Sequence, residues 1–239
     1  KLLCGKCGNS MRRTPEIFDS WMEAGSMPFA EYHYPFENKQ IFDNRFPAQF
    51  VAEYIAQTRA WFYVMHVIST IIFGKAPFEN VVTTGTILAE DGSKMSKSKA
   101  NFPDPKLMID KYGADSLRFY LMNSVVMQAD NLNFSEKGVE GVHRKVEFLL
   151  LNVYKYFSTY VGTKELPKRE KAVSSKGNIL DTWIEARTEQ LVETVTKCLD
   201  VYDTVHATRA IQEYVDDLST WYLRRSRKRK DAAFFETLS

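Results

Sequence analysis

Lys94-Met95-Ser96-Lys97-Ser98 sets two lysines three residues apart in a polar run. The run follows a β-branched segment and an acidic glycine turn, Glu90-Asp91-Gly92, and leads into a helix start at Asp104-Pro105. In an open α/β sheet, ligands sit off the carboxyl ends of strands, which is where this loop falls. Two cations on a loop that closes over a polyphosphate can neutralise the charge growing on a departing pyrophosphate. The same residue types also suit a plain solvated loop.

Two further clusters have residue types that do chemistry. Cys4-x-x-Cys7 is a tight, glycine-rich thiol pair of the kind that favours tetrahedral zinc. Zinc takes four ligands and this pair supplies two, while Cys198 is distant and on a helical face, so half a zinc site is expected. Two reduced cysteines in a turn is the plainer alternative. Trp221 to Lys230 ends an amphipathic helix, and six of its last seven residues are basic. That exceeds what a helix C-terminus needs for its dipole, and the density fits phosphate contacts through Arg224, Arg225, Arg227 and Lys228. The four histidines (His33, His66, His143, His206) show no metal spacing and read as structural or surface residues. A glycine-rich phosphate loop is absent from the sequence.

The elements that must position these groups belong to an ordinary globular chain: 239 residues, 44% hydrophobic and 26% charged. The net charge is only +2, so affinity for nucleic acid must come from local patches. The longest apolar stretch, residues 61–73, is too short to cross a bilayer, and the N-terminus lacks the layout of a signal peptide. A reducing cytoplasm is the expected compartment, where metal or redox chemistry outweighs a disulfide. The chain starts at Lys1 and not at Met, as a fragment would.

A turn-rich stretch is predicted over 1–20 and an irregular aromatic one over 21–45. A strand at 46–54, a buried helix at 57–73 stopped by Gly74 and Pro77, and a strand at 80–88 follow. No strand signal remains beyond about residue 136. Apolar residues recur at helical spacing from Leu180 to Tyr202 and from Ala207 to Tyr222, and residues 163–178 read as a connector. The fold class predicted is α/β, then all-α.

The pentapeptide at 94–98 matches, letter for letter, the signature loop of class I aminoacyl-tRNA synthetases. Gly85-Thr86-Ile87-Leu88, residues 99–105 and Lys111 to Arg118 resemble that family's flanks. Residues 18–30, His33-Tyr34-Pro35-Phe36 and Gln57 to Tyr63 resemble its isoleucyl branch. The resemblance covers nearly the whole chain. It implies the second half of a Rossmann-like nucleotide-binding domain followed by a truncated helical anticodon-binding bundle. The domains expected are a zinc knuckle and connective segment at the exit of an editing insertion (1–45), the catalytic half-domain (46–135), stem-contact helices and connector (136–175) and the start of the anticodon domain (176–239).

The activity implied is ATP- and Mg²⁺-dependent activation of isoleucine and its transfer to the cognate tRNA, with zinc as a possible structural metal. The fragment itself, which lacks the family's His-x-Gly-His-type nucleotide motif, is expected to be inactive alone. Lys94 and Lys97 would stabilise the pyrophosphate, with Met95, Ser96 and Ser98 shaping the loop. Trp21 and Trp61 would line the amino-acid pocket, Glu53 and Gln57 would contact the adenylate, and a monomer free of membranes is expected. Tyr54, Ala56 and Ala60 depart from the family pattern, which has Gly, Asp and Gly at those places, so a charged contact at 56 is lost. The alternatives are a valyl enzyme and a non-catalytic tRNA-binding module derived from a synthetase.

Overall fold

The computed structural model describes residues 2–17, 19–96, 98–99, 101–161, 178–229 and 231–238. It divides into two compact units, Lys1–Val82 and Thr83–Ser239.

In the first unit the turn-rich start is closed by an antiparallel bridge between Leu3 and Ser10. Helix α1 (Ser20–Ala30) begins where the Asp19 carboxylate accepts the Trp21 N–H at 3.0 Å, and α2 spans Lys39–Arg45. Both lie in the stretch predicted to be irregular. Gly25 and Pro28 inside α1 lower its local propensity, and packing overrides them. A Cβ on Gly25 would come within 2.7 Å of Val64 Cγ1 and Ile68 Cδ1, so glycine lets α1 lie tightly against α3 (Trp61–Phe73). Phe42 of α2 is buried against Tyr34 (ring centroids 4.3 Å apart), Phe46 (4.9 Å) and Phe73 (5.2 Å). Such aromatic clusters are worth more than area alone and need no helical period.

Strand β1 (Ala48–Tyr54) pairs with β2 (Phe78–Thr84), and their starts lie together: the Ala48 N–H donates to the Pro77 carbonyl at 2.9 Å. The connecting helix α3 begins at Trp61, four residues later than predicted, because Ile55–Arg59 forms a turn of 3₁₀ helix. It ends at Gly74, whose φ of 66° is the left-handed cap that glycine adopts without penalty.

The strand predicted over 80–88 proves to be two. The chain leaves β2 at Thr84, and β3 (Ile87–Leu88) joins a separate sheet, parallel to β4 (Leu132–Asn133). The change of partner falls at Gly85, whose N–H donates to the Val126 carbonyl at 2.7 Å. A Cβ there would stand 1.8 Å from the Asp130 carbonyl oxygen, so only glycine fits. A β-branched run signals extended backbone and says nothing about which strand it pairs with.

Helices follow. Asp104 caps α4 (Pro105–Tyr112) by accepting the Lys106 N–H at 2.8 Å, with Pro at the first position, and α5 spans Ala114–Met122. The run α6 (Glu136–Val142) continues through a π-helical turn, His143–Glu147, into α7 (Phe148–Val161). Asn178 caps α8 (Ile179–Asp200). Helix α9 (Thr204–Asp216) passes through a second π-helical turn, Asp217–Leu223, to α10 (Arg224–Ser226), and α11 spans Ala232–Leu238. Among the described residues no strand occurs after Asn133, which agrees with the all-α reading of the C-terminal part. The connector read at 163–178 falls, apart from Asn178, outside the described residues. Among the described residues, no helix is long and apolar enough to cross a membrane.

Candidate functional site

The lysine loop leaves the end of β3. Leu88 bridges Lys94, and the Ala89 N–H donates to the Ser93 carbonyl at 2.9 Å, closing a tight hairpin. The Asp91 carboxylate accepts the Ser93 N–H at 2.9 Å, and bonds from the Ser93 hydroxyl and N–H hold this carboxyl below the usual range. Met95 packs on the apolar cluster of Met108, Tyr112, Phe134 and Val139, so the middle of the motif is anchored to the core. The Ser96 hydroxyl lies 3.2 Å from that of Ser98 and accepts the Lys99 N–H at 3.3 Å. Lys94 is exposed. Lys97 lies outside the described residues.

Asn101 ties these parts together. Its Nδ2 donates to Ser93 Oγ at 3.0 Å and to the Lys94 carbonyl at 3.1 Å, while its Oδ1 accepts the Ser96 N–H at 2.9 Å. The residue types at 94–98 do not point to it. The available signal was an amide, able to donate and accept at once, close after a loop whose backbone groups lack sheet or helix partners.

In the first unit, Trp21 is on the first turn of α1 and Trp61 on the first turn of α3. The Trp61 indole N–H donates to the Ala24 carbonyl at 3.0 Å, one turn along α1 from Trp21. Trp21 is 42% exposed and Trp61 half-buried, so neither is spent in the core. The Gln57 side-chain oxygen accepts the Trp61 N–H at 3.0 Å and so caps α3. Glu53 is exposed at the end of β1, and its Oε2 accepts the Tyr54 N–H at 3.2 Å.

Cys4 and Cys7 sit in the turn closed by the Leu3–Ser10 bridge. The Gly8 N–H donates to the Cys4 carbonyl at 2.8 Å, with Gly8 at φ 71°. The backbone N–H of Lys6, then that of Cys7, point at the Cys4 sulfur, and with the Cys7 thiol they pull the Cys4 pKa below the ordinary thiol value. Such an environment favours the thiolate that metals bind. Among the described residues, no three His, Cys, Asp or Glu side chains converge on one point.

The basic run divides. Arg224, Arg225, Arg227 and Lys228 are exposed, with the Arg225 guanidinium 4.7 Å from the centre of the half-exposed Trp221 ring. Arg229 turns the other way. It donates to both oxygens of Asp181 at 2.5 and 2.7 Å and to Asp231 at 3.0 and 3.1 Å. The fully buried Tyr222 donates its hydroxyl to Asp181 Oδ1 at 2.8 Å, and burial, then the Asp181 carboxylate, push that hydroxyl far above its ordinary pKa. The six-cation count therefore overstates the charge offered to a ligand: Arg229 is half-buried and spent on Asp181 and Asp231. Spacing did not reveal this, because its buried partner, Asp181, lies 48 residues earlier in the chain.

The parallel β3–β4 pair carries the lysine loop at its end, and a run of helices follows. Residues 1–133 match the family described as tRNA synthetases class I (I, L, M and V), and the chain belongs to that family. Residues 181–238 match the anticodon-binding domain of tRNA ligase. The isoleucine–tRNA ligase of Treponema denticola is 43% identical over 95% of this chain. The cytoplasmic isoleucine–tRNA ligase of Caenorhabditis elegans is 45% identical over 92%. The chain spans 22% and 20% of those two proteins, about a fifth of each. Among solved structures, the Agrobacterium radiobacter K84 agnB2 LeuRS–tRNA–LeuAMS ternary complex matches with a TM-score of 0.73 at 18% identity, covering 99% of this chain and 31% of that one. Mycobacterium tuberculosis methionyl-tRNA synthetase with methionyl-adenylate matches with a TM-score of 0.72 at 19% identity, covering 91% and 44%. These two likenesses concern the fold.

Proposed function

We propose that this chain is part of an enzyme that activates isoleucine with ATP and transfers it to tRNA. The observation that carries this reading is the lysine loop off the end of β3, anchored through Met95 and Asn101 with Lys94 left exposed. In the first step an isoleucine carboxylate oxygen attacks the α-phosphorus, the bond to the β-phosphate oxygen breaks, and pyrophosphate leaves. In the second, a hydroxyl of the tRNA 3′-terminal ribose attacks the acyl carbon and AMP leaves. Lys94 and Lys97 stabilise charge on the departing pyrophosphate, which is worth most when the cations are already in place. Met95, Ser96 and Ser98 shape the loop that carries them.

The choice of isoleucine rests on the relatives above 40% identity, which are isoleucine–tRNA ligases. Trp21 and Trp61 supply apolar walls for a branched aliphatic side chain, and Glu53 and Gln57 lie nearby in sequence for the adenylate. Magnesium would enter with the nucleotide, since it is usually held by phosphates and few carboxylates, and it would neutralise phosphate charge. Cys4 and Cys7 suit one half of a tetrahedral zinc site with a structural role. Arg224, Arg225, Arg227 and Lys228 face tRNA phosphates. In this layout 1–45 is the zinc-knuckle segment, 46–135 the catalytic half-domain, 136–175 the stem-contact part and 176–239 the start of the anticodon domain. The enzyme works as a monomer in the cytoplasm, the compartment named for the Caenorhabditis elegans relative.

The test is ATP–pyrophosphate exchange by the full-length enzyme carrying this chain. Exchange should depend on isoleucine and should fall when Lys94 or Lys97 is replaced by Ala. Exchange driven by valine better than by isoleucine would move the chain to the valyl branch.

A further inference from the structure

We propose that Asn101 is a positioning residue for the reaction, acting through Lys94; this rests on the synthetase reading above. Nothing in the residue types at 94–98 fixes the direction in which the Lys94 side chain leaves the loop. Two pins hold it. Met95 fixes the height of the loop by apolar contact, which has no direction. Asn101 fixes orientation, because hydrogen bonds are directional. Its bonds reach residues 93, 94 and 96, so a single side chain clasps the hairpin from both its donor and its acceptor ends.

The bond to the Lys94 carbonyl matters most, since it sets the peptide plane from which the Lys94 side chain departs. A tilt of ~10° there swings an ammonium ~6 Å away by about 1 Å, and misplacement of that size costs reactions on the order of 10²-fold. Only an amide meets all three partners. An aspartate keeps the acceptor for Ser96 N–H but sets a carboxylate against the Lys94 carbonyl. A leucine keeps the bulk and loses every bond. The clasp consists of neutral groups, so it fixes the lysine without neutralising the charge that a phosphate ligand needs.

The experiment is steady-state pyrophosphate exchange by the full-length enzyme, comparing Asn101→Ala, Asn101→Asp and Asn101→Leu with wild type, alone and combined with Lys94→Ala. Expected is a fall in kcat of about 10-fold to 10²-fold, with the KM for ATP moving less than about 3-fold. In the Lys94→Ala background the Asn101 changes should cost less than about 2-fold, because residues that act through one another are not additive. An equal cost in both backgrounds would overturn the proposal and leave Asn101 a structural residue; so would full activity of Asn101→Leu. If Asn101→Ala fails to fold, the aspartate variant provides the same cycle. Lys94→Ala at the wild-type rate would instead defeat the underlying reading of the lysine loop.

Discussion

In the loop at Lys94 the side chain that clasps the lysine's own backbone is a neutral amide, whereas at the helix end near Arg229 the clasping side chain is a cation. Both stretches are crowded with basic residues in sequence. The loop is fixed by the Asn101 amide, the Asp91 carboxylate, serine hydroxyls and the apolar packing of Met95, and Lys94 stays exposed. At the helix end, Arg229 joins Asp181, which the Tyr222 hydroxyl also bonds, and Asp231, while Arg224, Arg225, Arg227 and Lys228 stay exposed. The difference follows from desolvation. Asp181 is 5% exposed, and a carboxylate that far from water needs a paired, hydrogen-bonded counter-charge. A cation meant for a ligand phosphate must be held in place without an ion pair that would cancel it. A run of basic residues is therefore two populations, and burial separates them.

The largest expected effect tests the buried side of this contrast. Arg229→Ala should destabilise the second unit by about 3–5 kcal/mol, since it leaves a buried carboxylate uncompensated. Arg229→Lys should lose less, keeping the charge but not the two-pronged geometry. Urea denaturation at neutral pH measures both; an Ala variant as stable as wild type would make Arg229 one more solvated cation. The same clasp has a pH signature. Arg229, then the Phe234 N–H, holds the Asp231 carboxyl below its ordinary value, so its contribution is full above the unfolded carboxylate pKa and is lost as pH falls through the lower folded one. Wild type should shed this stability in acid, and Arg229→Ala should show a smaller acid-dependent loss.

Next in size is the ligand-facing side. Lys97→Ala in the full-length enzyme should slow adenylate formation by about 10²-fold or more, with little change in isoleucine binding. An exchange rate equal to wild type would break the contrast at the loop. Smaller again is the effect on the exposed helix cations. Arg225→Ala should lower the log–log salt slope of tRNA binding by roughly 0.7 to 0.9, equally for cognate and non-cognate tRNA, because phosphate contacts carry no sequence information. A fluorescence titration at several salt concentrations reads this; an unchanged slope would return Arg225 to its stack on Trp221. The smallest effect is at the thiol pair. Cys4 should alkylate at a lower pH than an ordinary thiol, because its thiolate is favoured by backbone N–H groups, and added zinc should slow that reaction. Labelling with iodoacetamide followed by mass spectrometry measures it; protection of neither thiol by zinc would remove the half-site.

The local signals were readable where one rule decides the outcome. Asp104-Pro105 starts a helix, Gly74 stops one, and the C-terminal apolar spacing is helical, because caps, left-handed glycine and a 3.6-residue period act within a few residues. The motif at 94–98 pointed to phosphate chemistry by residue type and placement. Three things needed the folded chain. Residues 21–45 formed α1 and α2 because close packing at Gly25 and the aromatic cluster around Phe42 outweighs weak local propensity. The strand read over 80–88 broke in two because Gly85 meets the Asp130 carbonyl, 45 residues on, and no local pattern encodes that approach. Asn101 became the clasp of the loop, and Arg229 a half-buried ion pair, because hydrogen-bond partners and burial are set by which segments come together. Composition and spacing determine what a side chain is able to do; its neighbours after folding decide which of those things it does.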